Sequence, residues 1–89
     1  MTIDILKAHI KNGDLVIDLR NNEEYIKNHI DGSINMKYEN ILSNIKKYTS
    51  DKNKKIILFC SSGIKSKIAY NLLISFGYNN VIDIGKFNL

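Results

Sequence analysis

The chain has 89 residues, a length that suits one small domain spanning residues 1–89. Its 44% hydrophobic and 25% charged residues are ordinary for a globular fold. No apolar run approaches the roughly 18 residues that a membrane-spanning helix needs. The formal net charge is +4, and the densest lysines, between Lys46 and Lys55, bracket a polar connector, which favours a solvated loop over a nucleic-acid surface. A single cysteine excludes an internal disulfide, and the N-terminus has no signal-peptide pattern, so a reduced, cytoplasmic location is expected.

Helices and strands are predicted to alternate through the first half of the chain. Apolar residues at helical spacing predict a first helix over Ile3 to Asn12. The continuous apolar run Leu15 to Ile17 predicts a buried strand, and a short helix through about Asn28 follows it. Ser33 to Asn35 is predicted to form a short strand, and Tyr38 to Tyr48 an amphipathic helix.

The second half of the chain contains the most apolar segment. Ile56 to Phe59 predicts a strand at the centre of the sheet, a helix follows as far as Phe76, and Val81 to Ile84 predicts a last strand. Strands separated by helices pair in parallel through right-handed crossovers. The expected fold class is therefore α/β, a three-layer α/β/α sandwich with a small, mostly parallel sheet of four to five strands.

A small polar loop joins this central strand to the following helix and begins with the only cysteine, Cys60. In open α/β sheets, ligands bind at this end of the strands. Backbone N–H groups of such a loop and of the helix start stabilise a thiolate, so the pKa of Cys60 is expected to fall below its free value of about 8.5. The competing interpretation is a buried, inert cysteine. The candidate anion-binding residues of the loop are Ser61, Ser62, Gly63, Ile64, Lys65 and Ser66, with Gly63 permitting the bend, Lys65 adding a positive charge and Ser66 capping the helix.

Three polar or charged residues lie near the end of the neighbouring strand and the turn after it. Asp18 and Arg20 support the pocket in one interpretation, with Arg20 holding an anion. The favoured interpretation is a structural ion pair, of Asp18 with Arg20 or with a loop lysine, that positions the strand end. His29 is interpreted as a turn residue rather than as a general base for Cys60.

Three segments, taken together, resemble the rhodanese (sulfurtransferase) family. Cys60 to Ser66 is similar to the family's active loop, C-x-x-G-x-R-S. Val16 to Arg20, with Glu23 to Tyr25 after it, resembles the segment IDVR..EEY, and His29 to Asn35 resembles HIPGAIN. The segments follow the family's order and spacing, and the resemblance covers nearly the whole chain.

The chain departs from the family pattern in three places. Lys65 stands where arginine is usual, which keeps the charge but loses the planar pair of donors. Asp31 replaces the usual proline, and the common ending with two glycines and a tryptophan is absent. The family's last helix is therefore expected to be missing, with part of the core exposed or covered by a partner.

The resemblance implies a sulfurtransferase. The Cys60 thiolate would take a sulfane sulfur from thiosulfate or a persulfide donor and pass it to a thiol or to cyanide. No metal, organic cofactor, nucleic acid or membrane is implied. The alternative is a rhodanese-like interaction or regulatory module without significant turnover. Cysteine phosphatases share the fold, but their cysteine and arginine are six residues apart, whereas Cys60 and Lys65 are five apart, which argues against phosphatase activity.

Overall fold

Helices and strands alternate along the whole chain in the computed structural model, which describes residues 1–89. The helices are α1 (Ile3–Lys11), α2 (Asn22–Lys27), α3 (Ile41–Ile45) and α4 (Ile64–Ser75), with a 3₁₀ helix (Tyr38–Asn40) directly before α3. The strands are β1 (Leu15–Asp18), β2 (Ile34–Asn35), β3 (Ile56–Cys60) and β4 (Val81–Lys86). The predicted order of elements is confirmed.

The four strands form one sheet in the order β2-β1-β3-β4, and every neighbouring pair is parallel. The predicted central position of β3 is correct, since β1 and β4 flank it. All five β3 residues are fully buried, because helices cover both faces of the sheet where β3 lies and an apolar run is needed on both. The expected α/β fold class is confirmed, with four strands.

Side chains on β3 alternate between two separate cores. Ile57 and Phe59 pack on the same side as Leu6 of α1. Leu58 and Cys60 pack on the other side, with Leu73 of α4. The sheet is thus the middle layer, with α1 on one face and α3 and α4 on the other.

The last strand is less enclosed than β1 and β3. Residues Val81 to Gly85 are only partly buried, and the pairing between β3 and β4 shifts register after Leu58. Beyond β4, Phe87 packs on the α1 side of the sheet, with its ring centroid 5.2 Å from that of Phe59. The backbone N–H of Phe87 also donates to the carbonyl of Cys60 at 3.0 Å. The segment just beyond β4 therefore holds the point where β3 enters the polar loop.

The prediction of one amphipathic helix over Tyr38 to Tyr48 is wrong in the type of helix and in where the helix ends. A 3₁₀ helix occupies Tyr38–Asn40, and the α-helix stops at Ile45. The amide of Tyr48 bonds to the Ile45 carbonyl three residues back. Tyr48 itself is 50% exposed, so no burial favours a further α-helical turn there.

The helices are short compared with a membrane-spanning segment. The longest one, α4, has 12 residues, and none combines the length and apolarity needed to cross a bilayer.

Candidate functional site

The site lies where β1 and β3 end side by side at the carboxyl edge of the sheet. Their register continues past β1, since the N–H of Leu19 donates to the carbonyl of Phe59 at 2.9 Å. Cys60 follows Phe59 as the last residue of β3. The segment after β1 and the polar loop are therefore held next to each other, as the topology of the sheet requires.

The Cys60 sulfur is surrounded by donors of its own loop. The backbone N–H of Gly63 points to Sγ at 3.0 Å, and that of Ser66 at 3.4 Å. The Ser66 hydroxyl lies 3.5 Å from Sγ and 3.3 Å from the Gly63 carbonyl. A thiol can donate to Oγ while that hydroxyl donates to the carbonyl; when the sulfur is charged, the hydroxyl can turn and donate to it instead.

These contacts set the charge of the sulfur. Burial raises the pKa of Cys60, because a thiolate without water is penalised. Hydrogen bonds from the hydroxyl and N–H of Ser66 and from the Ser62 and Gly63 backbones outweigh that penalty and lower the pKa below that of an ordinary cysteine. The lowered pKa expected from the sequence is therefore found, and its causes are short-range hydrogen bonds.

The backbone conformation of Gly63 allows the N–H groups of the loop to point toward the Cys60 sulfur. Its φ is +87°, a left-handed conformation that L side chains rarely adopt. Ser62 places its hydroxyl 3.3 Å from the N–H of Ile64, at the start of α4. The helix begins at Ile64, so the sequence-based assignment of Ser66 as its cap is wrong. Ser66 lies in the first helical turn, where its hydroxyl donates to the Gly63 carbonyl and lies next to the sulfur.

Lys65 does not turn its ammonium group toward the sulfur. Its Nζ donates to the side-chain oxygen of Asn21 at 2.8 Å. Asn21 precedes α2 in the cap position, but its side chain makes no capping hydrogen bond. The lysine therefore spans from the loop to the segment after β1, and its charge lies at the mouth of the site.

Asp18 and Arg20 form a buried ion pair. The Asp18 carboxylate, fully buried, accepts from the Arg20 backbone N–H at 2.9 Å and from the guanidinium at 2.8 to 3.1 Å. Arg20 also donates to the carbonyl of Asn28, at the end of α2, at 2.6 Å. The structure thus shows the structural ion pair that the sequence favoured, which ties α2 to the end of β1.

Asn35 is a positioning residue that sequence reasoning missed. Its amide nitrogen donates to the carbonyls of Asp18 and Arg20 at 2.9 and 3.0 Å, and its oxygen accepts from Asn22 at 3.0 Å. It thereby fixes the bend after β1 from the neighbouring strand β2. A usable signal existed: an asparagine at the carboxyl end of a strand, the edge where a site was expected.

A wide groove lies beside the loop, with a volume of about 810 Å³. Lys65 and Leu19 border it on the side of the cysteine loop. Met36 and Tyr38 are among the few apolar and aromatic residues along it. We call it the asparagine groove because five amide side chains line it: Asn21, Asn22, Asn35, Asn40 and Asn44.

No other titratable group competes with Cys60 as the centre of the site. His29 contacts the carbonyl of Tyr25 at 2.7 Å through Nδ1 and stacks on the Tyr25 ring at 4.0 Å. These contacts give His29 the local turn role expected of it. No cluster of three His, Cys, Asp or Glu side chains is placed to hold a metal ion.

Replacing Ser66 by alanine is expected to raise the pKa of Cys60 toward the free value of about 8.5, because it removes the hydroxyl donor. A lowered folded pKa makes the free energy of unfolding rise as pH increases from that pKa to the unfolded value. In Ser66→Ala, the free energy of unfolding should therefore rise less over this pH interval. The pH dependence of alkylation by iodoacetamide measures the pKa, and urea unfolding at pH 6 and pH 9 measures the linkage. Ser75→Ala, an exposed serine whose hydroxyl bonds its own helix, is the matched control; an unchanged Cys60 pKa in Ser66→Ala would contradict this origin of the shift.

Comparison with known proteins supports one assignment for the whole chain. A family model described as Rhodanese-like domain matches residues 2–85. Thiosulfate sulfurtransferase PspE of Escherichia coli is 32% identical over 69 residues, covering 78% of this chain and 66% of that protein. A tRNA uridine(34) hydroxylase of Hamiltonella defensa is 33% identical over 89 residues, which is 89% of this chain but 25% of that protein. The chain therefore spans slightly less than two thirds of the first relative and a quarter of the second.

Solved structures agree with the family model. An Escherichia coli structure described as a rhodanese with anions has a TM-score of 0.76 at 30% identity, covering 82% of this chain and 86% of the other. The Rhodanese_3 like domain of the Alr3790 protein from Anabaena has a TM-score of 0.73 at 25% identity, with 85% of each chain covered. The parallel sheet, the cysteine loop at its carboxyl edge and these similarities lead to one conclusion: the chain belongs to the rhodanese-like domain family.

Proposed function

We propose that the protein is a sulfurtransferase that moves a sulfane sulfur from thiosulfate or a persulfide donor, through a persulfide on Cys60, to a thiol or cyanide acceptor. The observation that carries the proposal is the ring of donors around the Cys60 sulfur, with a lowered thiol pKa. Its relation to PspE supports the same chemistry. The catalytic residue is Cys60, the loop 61–66 binds the anion, and Asp18 and Arg20 hold the pocket in shape.

The first half-reaction is attack of the Cys60 thiolate on the outer sulfur of thiosulfate. A bond forms between Sγ and that sulfur, the bond to the sulfite sulfur breaks, and sulfite leaves with the electron pair. Cys60 is fully buried in the resting protein, so the donor reaches it only when the loop or the side chain shifts. The N–H groups of Gly63 and Ser66 are then the donors nearest to the new negative sulfur.

The second half-reaction returns the enzyme to its starting state. An acceptor thiolate attacks the outer sulfur of the Cys60 persulfide, the S–S bond breaks, and Cys60 leaves as the thiolate that the loop stabilises. No second cysteine is present in the chain to take the sulfur internally. The acceptor therefore comes from outside, and a compartment that keeps thiols reduced, such as the cytoplasm, suits this chemistry.

Intact mass spectrometry tests the proposal. Incubation with thiosulfate, and separately with polysulfide, should add the mass of one sulfur atom to the protein, and a thiol or cyanide should remove it. Cys60→Ser is expected to gain no sulfur while unfolding with the wild-type cooperativity. If the protein is folded and its thiol reacts with iodoacetamide, but no donor adds sulfur to it, the proposed sulfurtransferase activity is refuted.

The alternative is a rhodanese-like interaction or regulatory module without significant turnover. Two observations favour it: the fully buried Cys60, and Lys65 bonded to Asn21 instead of facing the sulfur. Relatives named as tRNA uridine(34) hydroxylases also contain this domain as a quarter or less of a longer protein. A protein that takes up one sulfur from thiosulfate but never releases it to any acceptor would fit the module.

A further inference from the structure

The cysteine loop has a second flank, on the side of β4. The backbone of Gly85 and Lys86 runs against Gly63, since an added Cβ at Gly63 would lie 3.5 Å from the Lys86 nitrogen. Lys86 is also the residue that pairs with Cys60 across the sheet. The asparagine groove lies beyond the ends of β1 and β2, so the end of β4 forms a separate border of the site.

The side chain of Lys86 leaves β4 on the same face of the sheet as that of Cys60. Paired residues of neighbouring strands point to the same face, and successive residues of one strand alternate between the two faces. Phe87 packs on the α1 side, with its ring against that of Phe59. Lys86 therefore points to the opposite side, where Cys60 packs. The register shift of this strand pair comes before the pairing of Lys86 with Cys60 and does not alter it.

The ammonium group of Lys86 is a free cation beside the thiol. The side chain is exposed, makes no hydrogen bond and belongs to neither of the two ion pairs of the protein. Asp83, the acid of the same strand, accepts from the N–H of Gly85 at 2.8 Å instead of pairing with it. Lys65, by contrast, has its ammonium group bonded to Asn21.

The charge at this position is particular to this chain. Lys86 follows Gly85 where the common rhodanese ending has two glycines, and a glycine would carry no charge there. The arginine that is usual in the loop is replaced by Lys65, which bonds away from the sulfur. The two departures complement each other, because β4 supplies a cation on one flank while the cation of the loop is engaged on the other.

We propose that Lys86 is a specificity-determining residue of the site, whose ammonium group pairs with the anionic end of the sulfur donor as its outer sulfur meets Cys60. This inference rests on the proposed function and adds to it a residue that selects a charged donor. Neighbouring strands lie about 4.8 Å apart, and lysine has a flexible four-carbon stem, so the ammonium group can reach an anion at the Cys60 sulfur.

The charges of the first half-reaction fit this arrangement. The Cys60 thiolate bonds to the outer sulfur of thiosulfate, and the bond to the sulfite sulfur breaks. Sulfite leaves with the electron pair and two negative charges, which the ammonium group of Lys86 stabilises. The new persulfide keeps one negative charge and lies next to the N–H groups of Gly63 and Ser66.

The test compares alkylation of Cys60 by iodoacetate, an anion, and by neutral iodoacetamide. Both reagents attack the same thiolate, so the ratio of their rates is independent of the pKa of the thiol. Lys86→Gln should lower the ratio of iodoacetate to iodoacetamide rates about fivefold at low ionic strength, the factor for a unit charge about 4 Å away in water. Lys86→Arg should keep the ratio. Salt at about 1 M should lower the wild-type ratio in the same way, because it screens the charge within about 3 Å.

Two matched controls remove the same charge elsewhere. Lys11→Gln changes an exposed residue at the end of α1 and should keep the wild-type ratio. Lys65→Gln should lower the ratio less than Lys86→Gln does, because the ammonium group of Lys65 is bonded to Asn21. The proposal is overturned if Lys86→Gln keeps the wild-type ratio or if either control lowers it as much. Failure of both reagents to alkylate Cys60 would show that no anion reaches the sulfur past Lys86 and would also overturn it.

Persulfide formation separates this inference from the proposed function. In single-turnover mass spectrometry with thiosulfate at low ionic strength, Lys86→Gln should form the Cys60 persulfide several-fold more slowly than the wild type, and Lys86→Arg should form it at nearly the wild-type rate. A lowered alkylation ratio in Lys86→Gln, with no persulfide from any donor in the wild type, would refute the sulfurtransferase but keep Lys86 as an anion-binding residue. Persulfide formation by Lys86→Gln at the wild-type rate and with the wild-type alkylation ratio would refute the role of Lys86 alone.

Discussion

Replacement of Arg20 by methionine is expected to lower the free energy of unfolding by about 3–5 kcal/mol, the usual cost of breaking a buried ion pair. The Asp18 carboxylate is fully buried and would keep only the Arg20 backbone N–H as a donor. A small domain has a total stability of roughly 5–15 kcal/mol, so much of it would be lost. Urea unfolding followed by circular dichroism measures the change.

The control for this prediction removes both charges. In the double variant Asp18→Leu with Arg20→Met, no charge is left unpaired, so the loss should be clearly smaller than in Arg20→Met alone. A double variant as unstable as the single one would show that the guanidinium acts mainly through the Asn28 carbonyl, its other partner. The ion pair would then not be the main source of stability.

Replacement of Gly63 by alanine is expected to slow persulfide formation from thiosulfate by about 10²-fold, the cost of losing one well-placed donor to a developing negative charge. The φ of +87° at Gly63 disfavours any L side chain. Relaxation of that conformation would turn the N–H away from the sulfur, which it now approaches to 3.0 Å. Single-turnover mass spectrometry at several pH values measures the rate and also reports a rise in the pKa of Cys60.

Gly77 provides a matched control for the backbone penalty. It follows α4 with a φ of +93°, and an added Cβ would meet no atom within 4 Å. Gly77→Ala should therefore lose about as much stability as Gly63→Ala, about 1–2 kcal/mol, and retain its rate. Equal rate losses in the two variants would mean that strain in the fold, rather than the donor to sulfur, controls the reaction.

The fold could be predicted from the sequence because the patterns that indicate its strands and helices are local. The apolar run Ile56 to Phe59 needs no distant information to indicate a doubly covered strand. The alternation of strands and helices then restricts the topology to parallel pairing. The helix after Tyr38 was predicted less well, because its end depends on which residues tertiary contacts bury.

Only part of the candidate site could be predicted from the sequence. The residues around Cys60 are close in sequence, so the loop and the lowered pKa followed from short-range reasoning. The bond between Lys65 and Asn21 joins residues 44 positions apart, and the role of Asn35 depends on its register beside β1. Such pairings follow from how side chains turn in the assembled sheet, which residue spacing along the chain does not specify.

The hydrogen bond from Phe87 to the Cys60 carbonyl has a consequence for folding. Every strand pair in this sheet joins segments that are distant in the chain, so the sheet closes only after slow, non-local steps. The segment that anchors the start of the cysteine loop follows β4, so it docks only once β4 has paired with β3. Until it docks, the thiol has neither its enclosing walls nor its full set of donors. The acidity of this one sulfur is therefore a probe of late folding, and rapid alkylation at low pH during refolding should mark the moment when the native loop has formed.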